Sequence, residues 1–154
     1  MAGESRAESP LAGPVRVATD GSTSLALSIT NTGEREGTEI VQLYLNDPVA
    51  SVVRPMKRLI SYARVELQPG ETRDVTFTVP ADLAAFTGRD GQRIVEPGEL
   101  NLMLGSSSTA IHSTSSVWLE GAVRVVDHTR QLHCEVAIAE HPLVASALAT
   151  ARLF

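Results

Sequence analysis

The chain has 154 residues, 43% of them hydrophobic and 20% charged, with a formal net charge of −5. This balance belongs to a folded globular protein rather than a disordered tail, and its sign opposes attraction to phosphate backbones, so nucleic acid is not an expected partner. A single cysteine, Cys134, excludes an intrachain disulfide and a cysteine-built zinc site, and is expected as a half-buried apolar side chain.

The length allows one well-buried core plus an appendage. Residues 1–13 read as a flexible lead-in without the apolar core of a secretory signal, which leans slightly toward the cytoplasm and leaves the compartment undecided. There are nowhere ~18 consecutive apolar residues, so no membrane partner is expected. From residue 14 to 121 short alternating runs are punctuated by turn residues, the pattern of an all-β sandwich. In residues 24–30, Leu25, Leu27 and Ile29 take one face and Ser24, Ser28 and Thr30 the other. Asn31, Thr32 and Gly33 mark a turn. Residues 39–46 carry apolar side chains in both phases, which predicts a central strand covered on both sides.

Residues 47–58 break the pattern with Pro48 and Pro55, making a connection longer than the usual ~4–6 residues. Extended structure resumes over 59–67, and Gln68-Pro69-Gly70-Glu71 has the residue order of a type II turn. Residues 72–79 alternate cleanly, with Val75, Phe77 and Val79 on the dry face. Asp90-Gly91 and Glu96-Pro97-Gly98-Glu99 read as turns, Leu100, Leu102 and Leu104 share a face, residues 106–116 read as a polar loop, and residues 117–120 read as a last strand. Leu25, Leu27, Ile29, Val41, Leu43, Val75, Phe77, Leu102 and Leu104 are the expected core. Beyond Gly121 lies an extension over 122–154. In it Leu132, Cys134, Val136 and Ile138 alternate as a candidate strand, and Leu143, Val144, Ala147, Leu148 and Ala151 recur at helical spacing, which predicts a helix over 142–154 opened by Pro142.

The ordered set Thr30-Asn31-Thr32-Gly33, Val41-Gln42-Leu43-Tyr44-Leu45, Asp47-Pro48, Arg54-Pro55-Met56-Lys57-Arg58-Leu59, Leu67-Gln68-Pro69-Gly70-Glu71, Glu96-Pro97-Gly98-Glu99 and Gly105-Ser106-Ser107-Ser108 resembles the C-terminal fibronectin type III-like domain of family-3 glycoside hydrolases, the β-glucosidases, β-xylosidases and their relatives. The resemblance covers residues 15–117. It implies a fibronectin type III-like (immunoglobulin-like) β-sandwich, here with a short C-terminal helical extension. It further implies that the nucleophilic aspartate sits on a barrel domain and the acid/base glutamate on a second α/β domain, neither of which this chain contains. The expected role is a non-catalytic accessory domain that docks on those catalytic domains and shapes the active-site rim. The alternative is a free-standing carbohydrate- or protein-binding module.

The residues themselves suggest no catalytic machinery, cofactor or metal. Ser106, Ser107 and Ser108 lack the Gly-x-Ser-x-Gly elbow, and His112, His128, His133 and His141 never pair at metal-ligand spacing. Two surface candidates remain. Asp47, Arg54, Pro55, Lys57 and Arg58 form a charged, proline-stiffened loop, either a docking surface for neighbouring domains or a solvated connection. Trp118 lies out of register with Val117 and Leu119, so it either faces outward, where an indole stacks on a sugar of a polysaccharide, or packs against core or domain.

Overall fold

The computed structural model describes residues 15–48, 57–140 and 149–152. Twelve strands run in chain order: β1 (Val15–Ala18), β2 (Ser22–Thr30), β3 (Gly37–Asn46), β4 (Arg58–Leu67), β5 (Thr72–Pro80), β6 (Phe86–Thr87), β7 (Arg93–Val95), β8 (Gly98–Ser107), β9 (Ala110–Glu120), β10 (Arg124–Val125), β11 (Glu135–Glu140) and β12 (Ala149–Arg152). They form a five-stranded sheet β1-β9-β8-β3-β4, a four-stranded sheet β11-β5-β2-β12 and a small sheet β10-β7-β6. The first two pack face to face, because the alternating residues of each have one dry side to bury.

All nine expected core residues are buried, together with Leu45, Ala63, Val65, Leu67, Val79, Leu100, Val117 and Leu119. β2 and β5 pair antiparallel with Leu25 opposite Phe77 and Leu27 opposite Val75, so one row of apolar side chains faces the other sheet. β3 lies between β4 and β8, and the phase of its second apolar set is only partly covered: Tyr44 is buried, whereas Ile40 and Gln42 are half-buried. The turn after β4 is closed by the Glu71 N–H donating to the Gln68 carbonyl at 3.0 Å, with Gly70 at φ 77° as the third residue of a type II turn requires.

Asn31, fully buried, organises the end of β2. Its amide donates to the carbonyls of Arg35 at 2.7 Å and Leu67 at 3.0 Å, and its Oδ1 accepts the Gly33 N–H at 2.8 Å. Glycine at 105 has a different cause: a Cβ there would stand 2.3 Å from the Ala110 carbonyl oxygen across the β8–β9 irregularity.

Two expectations are corrected. The polar loop over 106–116 is a tight hairpin instead, since β8 runs to Ser107 and β9 begins at Ala110. Serine and threonine occupy both phases there, with Ser113 and Ser115 on the core face opposite Leu104 and Leu102 and Thr114 and Ser116 on the outer face, and the Ser107 hydroxyl accepts the Ala110 N–H at 3.1 Å to hold the turn. The helix expected over 142–154 is contradicted at Ala149–Arg152, which forms β12, parallel to β2 with Ala149 opposite Leu27; the remainder of that stretch lies outside the described residues. A helix of about a dozen residues is marginal without packing, and the edge of β2 offers a ladder of backbone partners instead.

The segment after Gly121 is joined to the sandwich through polar contacts. Arg124 donates twice to the Thr19 carbonyl, at 3.0 and 2.8 Å, and pairs with Asp82, whose other oxygen accepts the Gln131 N–H at 2.8 Å. Burial by itself raises the Asp82 carboxyl, but the hydrogen bonds from Arg124 and Gln131 and the charges of Arg124 and Arg130 outweigh it and hold the group below the ordinary carboxylate value. A depressed folded value means that this stabilisation is complete above the unfolded pKa of ~3.9 and is lost as pH falls through the folded value. Asp82→Asn is therefore expected to cost about 1–2 kcal/mol at neutral pH. In urea melts, the gap between variant and wild type should narrow below about pH 4; a gap independent of pH would show that the carboxylate charge is not what matters.

Candidate functional site

The two edge strands on one flank of the sandwich, β4 and β11, do not close against each other. β11 pairs with β5 so that Val136 is opposite Phe77 and Ile138 opposite Val75. Residues paired across a sheet share a face, so Val136 and Ile138 point the way the core points, yet they are 39% and 40% exposed. On β4, Leu59 is 49% and Tyr62 63% exposed. An open cleft of about 380 Å³ at this flank is lined by Leu59, Ile60, Ser61, Tyr62, His133, Cys134 and Val136. Burial pushes the Cys134 thiol up, only partly offset by a hydrogen bond with Ser61. A thiol held protonated in this way is a packing group and a poor nucleophile.

Leu59, Ile60 and Val136 give the cleft its apolar half, beside the polar groups of Ser61, Tyr62 and His133, and the first two reach it for a structural reason. The β3–β4 ladder shifts register between Leu43 and Tyr44, pairing Leu43 with Ser61 and Tyr44 with Leu59. The irregularity leaves Ile60 between two paired residues, packed against the margin of the core.

The charged loop enters β4 immediately before this cleft. Lys57 donates to the Ser108 carbonyl and its Nζ stands 5.9 Å from the centre of the Tyr44 ring, while the Arg58 guanidinium donates to the Leu83 carbonyl at 2.5 Å. Both cations thus tie the base of the loop to the sandwich. Asp47 lies at the other base of the loop, and Arg54 and Pro55 fall outside the described residues. Trp118 is brought near none of these. It sits on the outer face of the five-stranded sheet, 42% exposed, between the buried Val117 and Leu119, so of the two orientations its register left open the side chain takes the outward one.

Among the described residues, no group of three or more His, Cys, Asp or Glu side chains is placed to hold a metal ion, and no helix is long and apolar enough to cross a membrane. The cleft lining contains no carboxylate.

Residues 39–108 match the family described as "Fibronectin type III-like domain". The chain carries that domain, in the form found in family-3 β-glucosidases and β-xylosidases. It is 39% identical over 94 residues to a β-xylosidase of Formosa agariphila, covering 61% of this chain and 13% of the relative, and 34% identical over 96 residues to the periplasmic β-glucosidase of Salmonella typhimurium, covering 62% and 12%. Among solved structures, a β-glucosidase from Listeria innocua in complex with glucose superposes with a TM-score of 0.67 at 31% identity, over 72% of this chain and 15% of that one. The chain thus spans about one seventh of the length of the glycosidases it matches.

Proposed function

We propose that this chain is a non-catalytic accessory domain of a family-3 glycoside hydrolase, docking on the catalytic domains through the β4–β11 flank and shaping the rim of their active site. The observation that carries this reading is the uncovered row of inward-directed apolar side chains. Val136 and Ile138 continue the core pattern of β5 but meet no opposing sheet, so a second body is needed to remove them from water. At roughly 25 cal/mol per Å² of apolar area, covering such a patch contributes appreciably to domain association. Lys57 and Arg58 stand directly before Leu59 at the cleft, and we assign the same docking role to Asp47, Arg54 and Pro55, which share the connection with them in sequence.

The glycosidic chemistry belongs to the partner domains. A retaining glycosidase needs two carboxyl groups ~5–5.5 Å apart across a sugar-sized cleft, and the cleft here offers hydroxyl, imidazole and thiol groups beside aliphatic side chains. Purified chain is expected to release no product from aryl β-glucosides or β-xylosides. Added to the Formosa agariphila β-xylosidase lacking the segment this chain matches, it is expected to raise the melting temperature of that fragment. Val136→Asp, which places a charge where the partner must dehydrate it, should abolish the rise. Hydrolysis that survives removal of contaminating glycosidases, or a rise unaffected by Val136→Asp, contradicts the reading.

A further inference from the structure

We propose that the outer face of the five-stranded sheet at Trp118 is a weak binding platform for a neutral, β-linked pyranose chain. The site is distinct from the docking flank. On β9, Trp118 is in register with Glu99 of β8 and Arg16 of β1, and all three point outward, since their neighbours Val117, Leu119, Leu100 and Val17 are buried. Arg16 is paired with Glu120 at 2.5 Å, and Glu99 beside the indole adds a further negative charge, so the face carries no excess of positive charge to recruit an anion.

The next row, about 7 Å along the strands, is a hydrogen-bonded ladder across three strands. The Ser116 hydroxyl donates to Asn101 Oδ1 at 3.2 Å, and the Asn101 amide donates to Asn46 Oδ1 at 3.3 Å. Each amide nitrogen carries two protons and each oxygen two lone pairs, so Asn101 keeps donor and acceptor capacity after these bonds, and its orientation is set in advance. A half-exposed indole beside oriented amide and hydroxyl groups on one sheet face matches the two surfaces of an equatorially substituted sugar. The axial C–H face lies on the ring, and the hydroxyl edge meets the ladder.

A protein partner fits this patch less well than the cleft. An interface centre is apolar and depleted of charge, whereas this indole is surrounded by amide, hydroxyl, carboxylate and guanidinium groups. With one ring to stack on, affinity should be low, with half-saturation at about 1 mM. Placing a polysaccharide chain near a tethered catalytic domain requires no more, because tethering converts weak binding into a high local concentration.

Trp118 is the only tryptophan in the chain, so its fluorescence reports this face alone. Titration with cellopentaose and xylopentaose is expected to give a saturable change in emission, the tighter of the two identifying the source of the chain, with no response to maltopentaose, whose α-linkages curve the chain so that its hydroxyl edge leaves the Asn101 ladder when a ring stacks on the indole. In affinity electrophoresis through soluble β-glucan and xylan, Trp118→Ala should lose retardation entirely and Trp118→Phe should keep part of it. Asn101→Ala should raise half-saturation roughly three- to tenfold. Unchanged emission into the tens of millimolar, equal response to maltopentaose, or retardation surviving in a folded Trp118→Ala variant overturns the proposal. None of these outcomes bears on the docking flank, where a failed melting-temperature rise would be seen separately.

Discussion

Phe77→Ala is expected to lower folding stability by about 3–5 kcal/mol and the melting temperature by roughly 10–15 °C. The side chain is 0% exposed and lies at the centre of the sandwich, on the β5 face that β2 and the five-stranded sheet enclose. Its removal forfeits the transfer of an aromatic ring and leaves a cavity, because two sheets tied by many ladders cannot collapse into it. Phe77→Leu, which keeps most of the volume, should cost less than about 1.5 kcal/mol. Trp118→Ala, by contrast, should change stability by less than about 1 kcal/mol, since the ring lies on the outer face. Chemical denaturation of the three variants checks the ordering, and a Phe77→Ala loss below about 1 kcal/mol would place the ring outside the core.

Asn31→Ala is expected to cost about 2–4 kcal/mol through polar groups rather than volume. The substitution removes the donor to the buried Leu67 carbonyl, together with the donor to the Arg35 carbonyl and the acceptor for the Gly33 N–H at the half-buried margin of the turn. The same residue also links the start of one turn to the end of another: its backbone N–H donates to the Glu71 carbonyl at 3.0 Å, and its carbonyl accepts the Gly70 N–H at 2.8 Å. Asn31→Asp keeps the acceptor for Gly33 and loses both donors, so it should be at least as harmful as alanine at neutral pH, with a buried charge added. Equal stability of Asn31→Asp and wild type would show that the amide donors do not hold this corner.

The strand pattern was legible because period-two alternation reports directly which side is dry. Leu25, Leu27, Ile29, Val75 and Phe77 needed no further information, and the outward direction of Trp118 follows from Val117 and Leu119 on either side of it. The hairpin of β8 and β9 was hidden because serine and threonine fill both faces of β9 over residues 113–116, the buried Ser113 included, so no alternation shows and the run reads as a loop. Ala149–Arg152 misled in the opposite way: these residues continue a run whose three- and four-residue spacing suits a helix, but a short segment takes whatever backbone partners tertiary structure offers, here those of β2. The docking cleft was half legible. The alternation of Cys134, Val136 and Ile138 signalled a strand, but its position as an overhanging edge is set by pairing with β5, a contact about sixty residues distant in sequence. The charged loop drew attention by its prolines, whereas Lys57 and Arg58 turn inward to the Ser108 and Leu83 carbonyls, acceptors that no local pattern identifies.

Hydrogen–deuterium exchange tests the docking account most directly. The chain alone would be compared with the same chain fused in place of the matching segment of the Formosa agariphila β-xylosidase. β4 and β11 are edge strands of their sheets, so the amides on their outer sides should exchange rapidly in the isolated chain. The account predicts that fusion slows exchange along Arg58–Leu67 and Glu135–Glu140 by at least about tenfold while leaving Ala110–Glu120 nearly unchanged. Protection concentrated on Ala110–Glu120, with β4 and β11 exchanging as in the isolated chain, would contradict it.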